Sequence, residues 1–159
     1  MNSPHVFDKA KYHDETIQEY GLPEEHAANH TVFFLRWLIE HDLMSEEFLK
    51  ESGDTLARFR VGKATIYELY EWWDCCLIDN MLSAAGNAFA LHYFDFDHGK
   101  YLQDYSATLQ EKLPTEFHVQ YSEENYKKLK AVIDRRYEEC KTPKKKGSWF
   151  RQFFLKNRS

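Results

Sequence analysis

At 159 residues, of which 43% are hydrophobic, the chain is long enough for one domain that buries its own core. Its formal net charge of −5 is unevenly divided: residues 1–140 contain all 26 Asp and Glu beside 14 Lys and Arg, a net charge of −12, whereas residues 141–159 contain seven basic residues and no acidic one. Binding to nucleic acid depends on Lys and Arg that displace counterions from phosphates. The acidic body therefore disfavours nucleic acid as a partner and favours a basic protein.

The cysteines and the N-terminus indicate the compartment. Cys75 and Cys76 are adjacent, and Cys140 makes the number odd, so we expect thiols in a reducing cytosol rather than disulfides. The first residues, MNSPHVFDKAKYHDE, contain no apolar run typical of a signal peptide, and the apolar stretches elsewhere are too short to cross a bilayer. The sequence predicts a cytoplasmic protein.

Apolar residues recur at intervals of three and four, and the chain holds only six Gly and four Pro, a pattern that predicts helices joined by short turns. The first long helix begins after Pro23 and runs to about Asp42. Its middle, residues 32–39, is apolar nearly all round, as is typical of a helix at the centre of a fold. Ser45 caps the next helix, where Gly53 favours a break and the inward side is supplied by Phe48, Leu49, Leu56 and Phe59.

The later helix starts follow from capping residues. Thr65 and Glu68 match a capping box, and either Asp79 or Ser83 opens the helix that contains GNAFALHYF. The remaining boundaries are set by Asp97, Pro114, Ser122 and Thr142. The run 117–121 alternates but has no strand partner, so we interpret it as a linker. These elements predict an all-α fold, a single irregular bundle of about six helices in residues 1–140, followed by a basic aromatic tail in residues 141–159.

Three segments resemble a family in their order along the chain: HTVFFLRWLIEHDLMSEE, then GNAFALHYFDF with YLQDYSATL, then SEENYKKLKAVIDRRYEE. In this order the chain resembles an uncharacterised family of small bacterial proteins with a domain of unknown function, over roughly residues 8–140. Some members are similar to immunity proteins encoded beside secreted bacterial toxins. The resemblance implies a binding role, and it brings no catalytic motif with it.

A row of histidines is the strongest candidate for a metal site. His26, His30 and His41 lie roughly along one side of the first long helix, together with Phe33 and Trp37. Two His at i and i+4 can share a metal ion, but the HEXXH order is missing and a third ligand has to come from a later segment (His92, Asp95, Asp97 or His98). We favour the interpretation that His26 and His30 border the core and form hydrogen bonds, and we expect no metal and no cofactor.

Two further groups of residues have side chains that could take part in catalysis. Asp95, Asp97 and His98 could act as acid and base, although helix capping explains Asp97 equally well. Cys75 and Cys76 lie among apolar residues that raise a thiol pKa, so we interpret them as unreactive. No phosphate-binding loop or nucleophile elbow is present in the sequence. We therefore expect no catalytic residue and no enzyme activity.

A partner-binding surface is predicted at Trp72, Arg135 and Arg136, because Trp and Arg are enriched at interface hot spots. Trp73 belongs to the inward stripe of its helix, whereas Trp72 turns away from it. Packing of Trp72 against a neighbouring helix is the alternative.

The C-terminal tail combines charge with aromatic residues at helical spacing. Its candidate binding residues are Lys144, Lys145, Lys146, Trp149, Phe150, Arg151, Phe153 and Phe154. A basic helix with aromatic anchors is typical of binding to an anionic membrane surface. Docking of the tail on the acidic body or on a partner is the main alternative, and nucleic acid is the weakest.

Three functions are compatible with the sequence. The first is a non-catalytic cytoplasmic protein-binding module, an immunity-like protein that neutralises a basic bacterial toxin. The second is a small peripheral protein held by its tail at the inner face of the membrane. The third is a metal-dependent enzyme that uses the histidine row. The sequence favours the first, and a tethered immunity protein combines the first two.

Overall fold

Helix α2, Asn29–Glu40, occupies the centre of the fold, as predicted from its sequence. The computed structural model describes residues 3–142, and in this range it is mostly helical. Phe34 and Trp37 are fully buried on α2. The Phe34 ring contacts Phe94 and Tyr101 at centroid distances of 4.7 and 5.3 Å. Burial of each such side chain contributes about 1.5–3 kcal/mol, so the aromatic packing around α2 is a main source of stability.

Eight α-helices form within residues 3–142. They are α1 (Asp14–Tyr20), α2 (Asn29–Glu40), α3 (Glu46–Glu51), α4 (Gly53–Arg60), α5 (Ile66–Trp72), α6 (Ala84–Phe89), α7 (Tyr101–Tyr105) and α8 (Glu123–Lys141). Short 3-10 turns cover Ala10–His13, Glu24–Ala27, Asp79–Met81 and Glu116–His118, and π-helical turns cover Ala90–Phe94 and Ser106–Gln110. The predicted all-α class is confirmed. The tail residues from Lys144 onward lie outside the described range.

Most predicted helix starts are confirmed because a side chain caps them. The hydroxyls of Ser45, Thr65, Ser83 and Ser122 each accept a hydrogen bond from the backbone N–H three residues later. Thr65 and Glu68 complete the capping box. The break predicted at Gly53 separates α3 from α4.

Two local predictions were wrong. Leu49 is 43% exposed, because neighbouring residues on a helix point about 100° apart and the buried Phe48 already takes the inward position of the short helix α3. Asp97 caps no helix: α7 follows Lys100 without a side-chain cap. Asp95 instead accepts a hydrogen bond from the backbone N–H of His98.

A small antiparallel sheet joins the two ends of the N-terminal half, and the sequence did not predict it. Strand β1, Val6–Lys9, pairs with β2, Cys76–Ile78, and the register shifts between Val6 and Asp8. Consecutive residues of a regular strand face opposite sides. The bulge relaxes this rule, so that Phe7 and Asp8 are both buried. This bulge places the carboxylate of Asp8 in the core.

Candidate functional site

An acidic cleft lies between the N-terminal turn, the turn before α2, and helix α5. Four exposed carboxylates line it, those of Asp14, Glu24, Glu25 and Glu71. Its volume is about 670 Å³, within the range of about 300–1,000 Å³ typical of ligand sites. The buried side chains of Ala27, Ala28 and Tyr70 form its apolar floor. We refer to this feature as the acidic cleft.

The charge of the acidic cleft is not balanced internally. Of the cleft-lining residues in the range 3–142, Lys11 is the one basic side chain. Among the residues that the structure describes, no ion pair engages Asp14, Glu24, Glu25 or Glu71. The lining therefore has four negative charges and one positive charge.

The negative charge of the acidic cleft raises the pKa values of neighbouring side chains. Partial burial raises the pKa of the Cys75 thiol, and the negative charges of Glu71 and Glu24 raise it further. Burial likewise raises the pKa of Tyr67, with a further contribution from Glu25. Because a reactive cysteine needs a lowered pKa, the cleft suits the binding of a cation better than attack by Cys75.

A second cluster lies near the acidic cleft, around the carboxylate of Asp8. His13 Nε2 is 2.8 Å from Asp8 Oδ1, and His30 Nε2 is 3.0 Å from Asp8 Oδ2. The Thr31 hydroxyl donates a hydrogen bond of 2.6 Å to Oδ2. Within residues 3–142, Asp8, His13 and His30 are the one group of three ligand-type residues close enough to hold a metal ion together. We call them the Asp8 cluster.

Three elements of the fold position the Asp8 cluster, and the aromatic ring of Phe117 packs against its two imidazoles. The bulge of β1 turns Asp8 inward, the 3-10 turn Ala10–His13 supplies His13, and α2 supplies His30. The Phe117 ring lies 5.2 Å from the His13 ring and 5.6 Å from the His30 ring. Burial alone raises the pKa of Asp8, but the hydrogen bonds from His13 and His30 outweigh it and hold that pKa far below its usual range. Asp8 is therefore ionised at neutral pH.

His26 and His30, which the sequence offered as possible ligands of one metal ion, have different hydrogen-bond partners in the structure. His26 Nδ1 lies 2.6 Å from the carbonyl oxygen of Phe117, to which it donates, whereas His30 meets Asp8 and His13. His41 Nδ1 is 2.8 Å from the carbonyl oxygen of Trp37. The hydrogen-bonded interpretation thus fits His26, His30 and His41, and within residues 3–142 His26 and His30 do not converge on a shared group of ligands.

The predicted partner-binding residues are not brought together. Trp72 is 59% exposed at the end of α5, and within residues 3–142 no hydrogen bond or ring contact connects it to Arg135 or Arg136. The Arg136 guanidinium forms two hydrogen bonds with Asp104, of 2.8 and 3.0 Å, between α8 and α7. Arg136 is therefore engaged within the fold, whereas Arg135 is exposed.

Sequence reasoning missed Asp8 and His13. Both lie in VFDKAKYH, five positions apart, a spacing that matches no metal-binding motif. The acidic cleft was missed for a related reason: its carboxylates come from segments that are distant in sequence. The signal that was available was the excess of acidic residues before residue 140.

Comparison with known proteins gives one match. A family model described as a domain of unknown function (DUF7832) matches residues 6–119, which include β1, the Asp8 cluster and the whole lining of the acidic cleft. No curated protein matches the chain, and no solved structure matches it. Within residues 3–142, every helix is too short or too polar to cross a bilayer.

Proposed function

Because the chain belongs to the family of the domain of unknown function DUF7832, we propose a function from its geometry: it is a non-catalytic binding module whose acidic cleft docks a Lys- or Arg-bearing segment of a protein partner. The single observation behind this proposal is a group of four carboxylates, set above an apolar floor, that form no ion pair with any residue that the structure describes.

Charge complementarity supports a basic partner. Residues 1–140 have a net charge of −12, so the attraction extends beyond the cleft and steers a positive surface toward it. The apolar floor formed by Ala27, Ala28 and Tyr70 offers contact area for the aliphatic stem of a Lys or Arg side chain. Such a partner is held by charge at the rim and by apolar contact below.

We propose further that the partner is a basic bacterial toxin, which makes the chain a cytoplasmic immunity-like protein. The acidic body favours this assignment, and so does the raised pKa of the Cys75 thiol, which makes this cysteine a poor nucleophile. A toxin-like reading frame beside the gene is the genomic observation that it requires.

The test compares two variants with the same change in charge. The cleft variant carries Glu24→Gln, Glu25→Gln and Glu71→Gln. The control variant carries Glu46→Gln, Glu47→Gln and Glu51→Gln on α3, outside the cleft lining. Each variant gains three charge units, so a general electrostatic effect changes both equally.

Wild type and both variants are used to capture partners from lysate of the native organism at low salt, and the affinity of the purified partner is then measured. Exposed ion pairs contribute about 0.2–1 kcal/mol each, so the cleft variant should bind about 3- to 150-fold more weakly, while the control keeps the wild-type affinity. The association rate of wild type should fall as salt rises. Equal affinity of the cleft variant and wild type, or the capture of no basic protein, refutes the proposal.

A further inference from the structure

The Asp8 cluster has the donor set of a transition-metal site. It converges two imidazole nitrogens and one carboxylate, and all three ligand atoms lie within 4.8 Å of one another. Zinc–ligand bonds of about 2.0–2.1 Å place tetrahedral ligand atoms about 3.3–3.4 Å apart. The two N–O distances in the cluster are 2.8 and 3.0 Å. Each hydrogen-bonded pair therefore has to separate by a few tenths of an ångström, and the two imidazole nitrogens, which lie within 4.8 Å of one another, have to reach the same spacing when an ion binds.

The charge of the cluster favours a cation. The Asp8 side chain is 1% exposed and that of His30 is 3% exposed, and a buried carboxylate is costly unless a positive charge or several hydrogen bonds balance it. A divalent ion supplies positive charge beside this carboxylate and coordinates it directly.

The surroundings have the outer-shell contacts that metal sites use. The Thr31 hydroxyl, itself fully buried, holds Asp8 through its hydrogen bond to Oδ2, and such contacts orient ligating carboxylates. The Tyr101 hydroxyl donates to the carbonyl oxygen of His30 at 2.6 Å, which fixes α2 at this residue. The aromatic ring of Phe117 covers both imidazoles. The ligands are thus held in place before any ion arrives.

Against the expectation drawn from the sequence, we propose that Asp8, His13 and His30 bind one divalent transition-metal ion, of which Zn²⁺ is the representative. Two nitrogen ligands and one oxygen ligand suit this class and do not suit Mg²⁺ or Ca²⁺, which prefer oxygen ligands. The side chain of His13 is 18% exposed and provides the route of entry. On binding, each imidazole coordinates through Nε2, so the proton that Nε2 donates to Asp8 leaves that nitrogen and the bound ring is protonated at Nδ1 alone.

The bound ion cross-links three elements, which are β1, the 3-10 turn Ala10–His13, and α2. Because it binds the folded chain, it stabilises the fold in proportion to its occupancy. At free Zn²⁺ of about 100 times Kd, the melting temperature should rise by about 5–10 °C. This proposal is independent of the acidic cleft and of any protein partner.

The test uses the full chain after removal of metal with a chelator, and Zn²⁺ alone as the probe. Isothermal titration calorimetry should give one ion per chain, and Co²⁺ should give the visible absorption of a low-symmetry site. His13→Gln, at the least buried ligand, should weaken binding by more than about 100-fold, the upper end of the loss for an outer-shell contact. Thr31→Val should weaken it by about 10- to 100-fold.

The matched control is the double variant His92→Gln and His98→Gln, which removes two exposed histidines outside the cluster and should bind Zn²⁺ as wild type does. Circular dichroism of each metal-free variant confirms that it is folded. Failure of wild type to bind one ion per chain refutes the proposal. So does equal affinity in His13→Gln and wild type, or loss of binding in the control.

Discussion

Gly86→Ala tests the close approach between α6 and the chain at Leu43. A Cβ built on Gly86 lies closer than 3.0 Å to the Leu43 carbonyl oxygen and 3.3 Å from the Cβ atoms of Leu43 and Leu82. The carbonyl cannot easily withdraw, because it accepts hydrogen bonds from the Ser83 backbone N–H at 2.9 Å and from the Ser83 hydroxyl at 3.0 Å. Either these bonds lengthen or α6 shifts.

One stabilising effect and two destabilising effects decide the result. Ala is favoured over Gly in a helix by up to about 1 kcal/mol, whereas overpacking of a tight contact costs about 1–3 kcal/mol, and each strained hydrogen bond adds about 1 kcal/mol. We expect Gly86→Ala to lower the free energy of unfolding by about 1–3 kcal/mol. At about 2–4 °C per kcal/mol for a chain of this size, the melting temperature falls by about 2–12 °C.

Gly53→Ala is the matched control, since Gly53 also lies in a helix but a Cβ there meets nothing within 4 Å. It should raise the free energy of unfolding by about 0.4–1 kcal/mol. Urea unfolding followed by circular dichroism measures both variants, and equal m-values show that the unfolded states are comparable. If Gly86→Ala is as stable as wild type while Gly53→Ala behaves as expected, the packing of α6 against Leu43 is not as described.

Two further predictions concern Asp104 and the tail. Burial raises the pKa of Asp104, but hydrogen bonds from Arg136 and Tyr93 outweigh it and hold the pKa below its usual value. The resulting stabilisation is complete above about pH 4, the usual pKa of an unfolded Asp, and is lost as pH falls through the folded-state pKa. Asp104→Asn should therefore cost about 1–3 kcal/mol at pH 7 and progressively less as pH falls below about 4 in urea titrations; a constant difference contradicts this. Deletion of residues 144–159 should leave the helical spectrum intact, because the last buried residue of α8 is Ile133, and should abolish binding to anionic liposomes. A fall of several degrees in melting temperature, with no liposome binding by the intact chain, shows instead that the tail belongs to the fold.

The predictable part of the fold was the local part. A capping box depends on residues three positions apart, so Thr65 and Glu68 could be identified from the sequence. The apolar run in residues 32–39 likewise located the central helix without knowledge of its neighbours. The prediction that Asp97 caps a helix shows the limit of this reasoning. It was wrong because Asp95, two positions earlier, accepts the hydrogen bond from the backbone N–H of His98. Local patterns identify candidate caps, and tertiary context chooses between them.

The Asp8 cluster could be predicted only in part. The histidine row drew attention to His30, but its partners come from a strand and a turn that the sequence did not reveal. Strand β1 is short and pairs only with another short strand, so neither has a recognisable period. The buried position of Asp8 depends on a bulge in that pairing. A site whose ligands come from three elements requires the tertiary structure.

The pairing of β1 with β2 has a consequence for the order of folding. Val6 pairs with Ile78, 72 positions later, and at about 5–20 residues per second a ribosome needs about 4–14 s to synthesise the intervening chain. Throughout that time β1 has no partner strand, and Asp8 remains in water. Helices α1 to α5 emerge before β2 is complete, and long-range pairing is slow. We therefore expect burial of the Asp8 carboxylate to wait until β2 has been synthesised and the N-terminus returns to pair with it.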